Sequence, residues 1–266
     1  MGFWNVRNNL LSIDVLSELV VEHCLDVIAV AESPISSEEL ALELSLSTGF
    51  QFSSDIVSQS SRITWAFKSS VTATPIFDGD KVSIREIQPP LGENLLLCAI
   101  HASSRMARDV AELNVLMPRA AAAVISAERT RGHDRTIVLG DFNLSPFDDG
   151  IISSESFHGV MSRKTAERIS RTVYEKDRKF FYNPMWKFFA ADDPVCGTYH
   201  FSSNNPLEYF WHIYDQIIFR PILIKNLSEP PVLVIQKTKS YQLIDHNGYP
   251  SVSDHLPILA KLIHRK

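Results

Sequence analysis

Glu32, His101, Asp141, Asn143, Asp215, Asp254 and His255 each stand at or beside an apolar run that reads as a strand, and Asn5 joins them near the N-terminus. Together they offer four carboxylates, two amides and two imidazoles. Hard oxygen donors of this kind suit Mg2+ or Mn2+ better than zinc. Magnesium takes one or two carboxylates and completes its shell with substrate phosphates. The remaining carboxylates are then free to hold a water or to orient a histidine. Phosphodiester cleavage needs those parts: a cation to neutralise developing charge, a positioned water, and donors to the phosphoryl oxygens.

The elements that must carry these residues can be read along the chain. Residues 26–31 form a short apolar run that ends at Glu32, preceded by helical spacing of Ile13, Leu16, Leu19 and Val20. Residues 95–100 form a second run, ending at His101. A helical stretch follows from about Arg105 to Glu128, where Pro118 predicts a kink or a split. Residues 136–139 lead into Gly140-Asp141-Phe142-Asn143. A fourth strand is expected over 213–219 and a closing strand over 257–263, entered from Ser253-Asp254-His255. Partial alternation over 62–68 and 81–87 predicts half-exposed strands. Strands mixed with helices indicate an α/β or α+β fold with mixed sheets. Loops at one edge of a sheet form a crevice, so strand-end polar residues can converge there.

Trp4-Asn5, Glu32 after its apolar strand, Gly140-Asp141-Phe142-Asn143 and Ser253-Asp254-His255 resemble the motifs of the endonuclease/exonuclease/phosphatase family. That family contains deoxyribonuclease-like enzymes, abasic-site endonucleases, inositol polyphosphate phosphatases, neutral sphingomyelinases and deadenylases. Each motif alone is short and weak. Their order, their separation and the strand before each make the joint signal, which runs from residue 4 to the final strand. The resemblance implies a four-layer αββα sandwich, two packed mixed β-sheets with helices outside. It also implies roles. Glu32 is the principal Mg2+ or Mn2+ ligand, with Asn5 beside it and Asp254 on the metal side. Asp141 positions or deprotonates the attacking water, and Asn143 holds that water or a phosphate oxygen. His255 is general base or electrostatic stabiliser, Asp215 is the buried acid that fixes its tautomer, and His101 donates to the phosphate. The plain alternatives are a solvated strand end for Glu32, a turn cap for Asn5, and loop-stabilising turns for Asp141 and Asn143. Three positions depart from better-known branches: Arg7, where abasic-site endonucleases carry an acid; Ser33-Pro34, where pancreatic-type nucleases carry Val-Arg; and Ala31, where Gln commonly precedes the metal-binding Glu.

A basic and aromatic insertion is expected at about 155–211. Residues 163–179 hold seven basic side chains against three acidic ones. Phe180, Phe181, Tyr182, Trp186, Phe188 and Phe189 follow, then Tyr199, Phe201, Tyr209, Phe210 and Trp211. Basic residues beside aromatics suit nucleic acid, through phosphate contacts and base stacking. Arg168, Arg171 and Trp211 are the candidates for gripping substrate. The alternative is a solvated helix face followed by core aromatics. Asn183-Pro184-Met185-Trp186 and Gly197-Thr198-Tyr199 stand out without an assignable role.

The chain has 266 residues and a formal net charge of −5, with 45% hydrophobic and 21% charged residues. That excludes wholesale disorder and a whole-protein basic field. Neither a repeat nor a Ser/Gly/Pro-rich linker divides it, so one domain over 1–266 is expected. Cys24, Cys98 and Cys196 are scattered and odd in number, which reads as buried small hydrophobes in a reducing cytoplasm rather than a disulfide or zinc framework. Neither a secretory signal nor an apolar run of spanning length is found, so no membrane association is expected. The expected function is Mg2+-dependent hydrolysis of phosphoesters, with a nuclease acting on DNA or RNA first. A phosphatase or phosphodiesterase of a small phosphoester or lipid headgroup comes second. A catalytically silent binding module comes last, because Glu32, Asp141, Asn143, Asp254 and His255 are all intact.

Overall fold

In a computed structural model, which describes residues 1–55, 62–102, 110–190, 195–206 and 208–263, the apolar runs become strands of two sheets. The N-terminal half contains β1 (Gly2–Asn5), α1 (Leu11–His23), β2 (Val27–Ala31), α2 (Ser37–Thr48), β3 (Phe52–Ser53), β4 (Ile63–Lys68), β5 (Thr72–Asp78), β6 (Val82–Gln88) and β7 (Leu95–His101). Then come α3 (Val110–Arg131), β8 (Thr136–Asp141), α4 (Asp149–Ile152), β9 (Gly159–Val160), α5 (Arg163–Ala166), β10 (Ser170–Val173), β11 (Lys176–Lys179) and β12 (Phe181–Tyr182). The chain closes with β13 (Tyr199–His200), β14 (Trp211–His212), β15 (Asp215–Phe219), β16 (Leu233–Val234) and β17 (Ile258–Leu259).

One sheet has six strands in the order β16-β17-β1-β2-β4-β3, and the other has seven in the order β5-β6-β7-β8-β15-β12-β9. Both are mixed: β1 runs parallel to β2 and β7 to β8, while β15 is antiparallel to β8. Side-chain alternation sorts the strands into three cores. In β2, Val27, Ala29 and Ala31 face the other sheet, where they join Leu97, Ala99, Ile137, Leu139, Ile217 and Phe219. Ile28 and Val30 face outward and pack with Leu16, Leu19, Val20, Leu40 and Leu44 of α1 and α2. On the far side Leu96, Cys98, Ile100, Val138 and Ile218 pack with Leu113, Met117, Ala121 and Val124 of α3. Helix, sheet, sheet and helix therefore form four layers. Central strands are covered on both faces, which is why they read as continuous apolar runs.

Several expectations need correction. The residues expected to start the long helix, Arg105 onward, lie partly outside the described residues. From Val110 the helix runs as one element through Pro118. Side chains on both sides of the proline, Leu113 and Met117 before it and Ala120 and Val124 after it, pack into the same core. That packing holds the two halves in line despite the lost hydrogen bond. The basic run 163–179 is not a helix face. It is the short α5 followed by the β10–β11 hairpin, whose turn residues Tyr174 and Glu175 both have positive φ. Strand β6 is buried from Val82 to Ile87 rather than half-exposed. Of the cysteines, Cys98 is buried but Cys24 is exposed. Among the described residues, no helix is long and apolar enough to cross a membrane.

Gly140 marks the point where the seven-stranded sheet is tightest. Its φ is +146°, and a Cβ there would lie 2.0 Å from the backbone oxygen of Ile100. Only glycine lets β8 approach β7 this closely one residue before Asp141. Replacing it with alanine must push the strands apart or strain the backbone. Gly140→Ala is expected to lower unfolding free energy by about 3 kcal/mol or more. A urea midpoint equal to wild type would contradict this account of the strand junction.

Candidate active site

The four layers bring strand ends from both sheets to one edge. Strand register sets His101 opposite Asp141, and Asp141 opposite Asp215. Across the sandwich, Asn5 pairs with Ala31, so Glu32 leaves β2 beside it. Glu32 has φ +49°, a left-handed conformation that is costly for a non-glycine residue. The turn after β1 holds it there: the Val6 amide donates to Ala31 and the Asn8 amide to the Glu32 carbonyl, at 3.0 and 2.8 Å.

Asn5 is the joint of the cluster. Its Nδ2 donates to Glu32 Oε1 at 3.3 Å and to Asp141 Oδ2 at 3.2 Å. One amide therefore links a carboxylate of its own sheet to one of the opposite sheet. His101 Nε2 lies 3.4 Å from Glu32 Oε1. That hydrogen bond, aided by Asn5 and nearby imidazole charge and opposed by partial burial, holds the Glu32 carboxyl down to about 2. Asp141 is buried; its Oδ1 accepts the Asn143 amide at 3.0 Å. Asn143, at φ +51°, donates through Nδ2 to the Ala102 carbonyl at 3.3 Å. Behind this loop, buried Asn183 donates to Gln216, which in turn donates to the Leu144 carbonyl, at 2.8 and 2.6 Å.

His255 Nδ1 and Asp215 Oδ2 are 2.8 Å apart, both residues buried. The Asp215 amide donates to Thr198 Oγ1 at 3.0 Å. Trp4 Nε1 donates to the His255 carbonyl, and Ser253 Oγ to the Asn5 carbonyl, both at 2.8 Å. These bonds fix the histidine loop to β1. Burial raises the Asp215 carboxyl to about 6, partly offset by His255. Burial alone would lower His255, but the charges of Asp215 and Asp141 and the Asp215 hydrogen bond raise it to about 9. At neutral pH the pair is thus carboxylate and imidazolium. The other ring nitrogen, Nε2, stands 3.9 Å from Asp141 Oδ2. That gap is too long for a direct hydrogen bond.

Asp141, Asp215 and His255 offer ligand-type atoms within 4.8 Å of one another. On the other side of Asp141 stand Asn5 and Glu32, joined to it through the Asn5 amide. Asp254 sits apart from them. Its Oδ2 pairs with Arg7 Nη1 at 3.1 Å, in a partly solvent-exposed bridge. Of the residues expected in the site, Asn5, Glu32, His101, Asp141, Asn143, Asp215 and His255 come together; Asp254 lies beside them, tied to Arg7.

The three candidates for gripping substrate do not join them. Arg171 Nε donates to His158 Nε2 at 2.9 Å, and the neighbouring Lys179 pairs with Asp134 at 2.8 Å, just before β8 begins. The cluster lies at the other end of β8, five residues or on the order of 17 Å away. Arg168 is exposed next to that hairpin. Trp211 is half-buried and packs toward the α1 and α2 side. Sequence reasoning gave no role to the hydroxyls of Thr198 and Ser253, and placed Tyr199 only among the aromatics suited to stacking. The signal was present in Gly197-Thr198-Tyr199 and Ser253-Asp254-His255, but a hydroxyl that bonds a backbone amide leaves no periodicity to read.

Solved structures with this architecture include an endonuclease/exonuclease/phosphatase family protein from Leptotrichia buccalis, at 14% identity and TM-score 0.54, covering 99% of this chain and 98% of that one. The endonuclease domain of TRAS1, a telomere-specific non-LTR retrotransposon, matches at 10% identity and TM-score 0.54, covering 100% and 98%. A mannosyl-6-phosphatase from Bacteroides thetaiotaomicron matches at 12% identity and TM-score 0.55, covering 99% and 98%. The chain has the fold of endonuclease/exonuclease/phosphatase family proteins. No protein-family model matches the sequence, and no curated protein does.

The buried pair gives a test that needs no substrate. In metal-free protein, an NMR titration should place the His255 ring near 9, above its ordinary value of about 6.5. Asp215→Asn removes the largest favourable charge, so the ring should titrate well below the wild-type value. A ring that still titrates near 9 in the variant would contradict the assignment of Asp215 as its partner.

Proposed function

Starting from the endonuclease/exonuclease/phosphatase fold, we propose that this protein is a metal-dependent phosphoester hydrolase. The observation that carries the reading is the Asn5 amide shared between Glu32 and Asp141, with the Asp215–His255 pair beside it. The donor set fits a hard divalent cation. Glu32 is ionised at any working pH, Asp141 is a second carboxylate, and sulfur is absent from the group. A single neutral amide between two carboxylates leaves their charge largely uncompensated, which is the deficit a divalent cation fills. Glu32 and Asp141 would hold Mg2+ or Mn2+, and Asn5 could join them only through its carbonyl Oδ1, because its Nδ2 donates. When bound, the cation supplies neutralisation of charge that develops on the phosphoryl oxygens.

The chain's own residues do the rest. Asp141 orients the attacking water and accepts its proton through a carboxylate that Asn143 and Asn5 hold in place. His255, as imidazolium, donates from Nε2 to a phosphoryl oxygen in the space between it and Asp141. That favours the stabiliser role over the general-base role, because the Asp215 carboxylate at 2.8 Å favours the charged ring. Asp215 keeps the ring charged and aimed. His101 steadies Glu32. Arg7 cancels the charge of Asp254 at the rim, which would otherwise repel a phosphate.

Two substrate readings follow. A nucleic-acid phosphodiester is supported by the Tyr199 ring packed on His255 at 4.5 Å, with Phe201 beyond it. A small phosphoester is supported by the basic hairpin standing at the far end of the sheet, where it cannot grip a strand next to the scissile bond. Purified protein with Mg2+ or Mn2+ is expected to hydrolyse methyl p-nitrophenyl phosphate. A panel of single-stranded DNA, duplex DNA, RNA and sugar phosphates separates the readings. Glu32→Ala should abolish metal-supported turnover, and Asp141→Asn should lower kcat by about 10²–10⁴-fold. Wild-type rates in either variant would overturn the proposed site.

A further inference from the structure

The turn that carries Asn143 is held from behind by a chain of side-chain amides. Gln216 is the second residue of β15, and alternation turns it to the face of the seven-stranded sheet opposite Asp215. Asn183 directly follows β12. Both are fully buried. The Met185 backbone amide donates to Asn183 Oδ1 at 3.0 Å, Asn183 Nδ2 to Gln216 Oε1 at 2.8 Å, and Gln216 Nε2 to the Leu144 carbonyl at 2.6 Å. The chain starts on a backbone N–H, which can only donate, and ends on a backbone carbonyl, which can only accept. Its direction is therefore fixed: each side-chain amide must turn its oxygen to one neighbour and its nitrogen to the other. Both ends are anchored, Met185 in the core between the sheets and Leu144 in the core beneath α3.

Pinning the Leu144 carbonyl fixes the chain one residue past Asn143, which sits at φ +51°. Left-handed backbone at a residue other than glycine persists only where its surroundings hold it. From that position the Asn143 amide donates to Asp141 Oδ1 at 3.0 Å. The segment after Asn183 also grips the loop from outside, where the Phe147 ring packs against Trp186 at 5.4 Å and Phe189 at 5.1 Å between centroids. We propose that Asn183 and Gln216 are positioning residues: their directed amide relay holds the Asn143 turn, and through it the Asp141 carboxylate, in the geometry that hydrolysis requires. Both act through Leu144 and Asn143. The proposal rests on the hydrolase reading of the site and gives the Asn183-Pro184-Met185-Trp186 segment its role in it.

Two variants of similar size test the relay. Asn183→Leu removes the donor to Gln216 at every pH. Asn183→Asp keeps the acceptor for Met185 and, while its carboxyl is protonated, keeps a donor to Gln216. Once ionised, that carboxyl only accepts; Gln216 must then turn its nitrogen to it and its oxygen to the Leu144 carbonyl, which repels. Burial favours the protonated form, so about pH 5 is a condition in which the donor is present. The readouts are hydrogen exchange of the Asn143 amide, with the Val138 amide in the middle of β8 as reference, and kcat and KM for methyl p-nitrophenyl phosphate with Mn2+. At that pH, Asn183→Leu should lower Asn143 protection and kcat by about tenfold or more each, with KM nearly unchanged and a smaller effect at Val138. Asn183→Asp should stay close to wild type. Equal loss of protection at Asn143 and Val138 would mean general destabilisation and overturn the relay. So would wild-type kcat in Asn183→Leu, a raised KM in place of a lowered kcat, or an Asn183→Asp variant no better than Asn183→Leu. Exchange needs no turnover: if wild type leaves the ester intact while exchange follows this pattern, the hydrolase reading falls and the relay stands.

Discussion

The Asn5 amide is where the two sheets meet chemically. It donates to Glu32 within its own sheet and to Asp141 of the opposite one, at 3.3 and 3.2 Å. For one short side chain to reach both, the C-terminal ends of β1, β2 and β8 must stand at the same edge and at nearly the same height. The inter-sheet core of Ala29, Ala31, Ala99 and Leu139 sets that height. Small residues there keep the sheets close. Gly140 does the same within the seven-stranded sheet, where any side chain would strike Ile100. The site is thus a consequence of packing distance as much as of residue type.

Gathering carboxylates at one edge carries an electrostatic cost, and the surroundings offset it piece by piece. Glu32 takes donors from His101 and Asn5. Buried Asp215 has the His255 imidazolium at 2.8 Å. Asp254 takes Arg7. Among the described residues, Asp141 takes neutral amide donors within hydrogen-bond distance, from Asn5 and from the Asn143 backbone. It also faces His255 Nε2 across a 3.9 Å gap. The backbone is distorted in the same place, with Glu32 and Asn143 both at positive φ. Distortion of this kind persists only where surrounding contacts over-determine it.

Much of this was legible in the sequence. Strand-end placement of Glu32, His101 and Asp141 was readable because doubly covered strands give unbroken apolar runs that stop at the sheet edge, whereas Asp215 was expected inside a strand over 213–219 and instead begins it. The mixed sheets followed from the same runs, and the four layers from the family resemblance alone. The basic segment was harder. Its positive charge was clear, but charge carries no address, and only the pairing of Lys179 with Asp134 places it at the far end of β8. The hairpin turn there uses Tyr174 and Glu175 rather than the Asn-Gly or Asp-Gly pair that marks such turns. The resemblance put Asp254 on the metal side; its ion-pair partner, Arg7, lies 247 positions earlier in the chain and is joined to it only by the fold. The roles of Tyr199 and Ser253 depend on contacts across similar distances.

A crystal soaked in Mn2+ and measured at an anomalous wavelength tests the central claim most directly. The account predicts one strong anomalous peak between the carboxylates of Glu32 and Asp141, next to Asn5, with the 2.8 Å Asp215–His255 pair undisturbed. A peak bound instead by Asp215 and His255, or no peak at this edge of the sandwich, would contradict it.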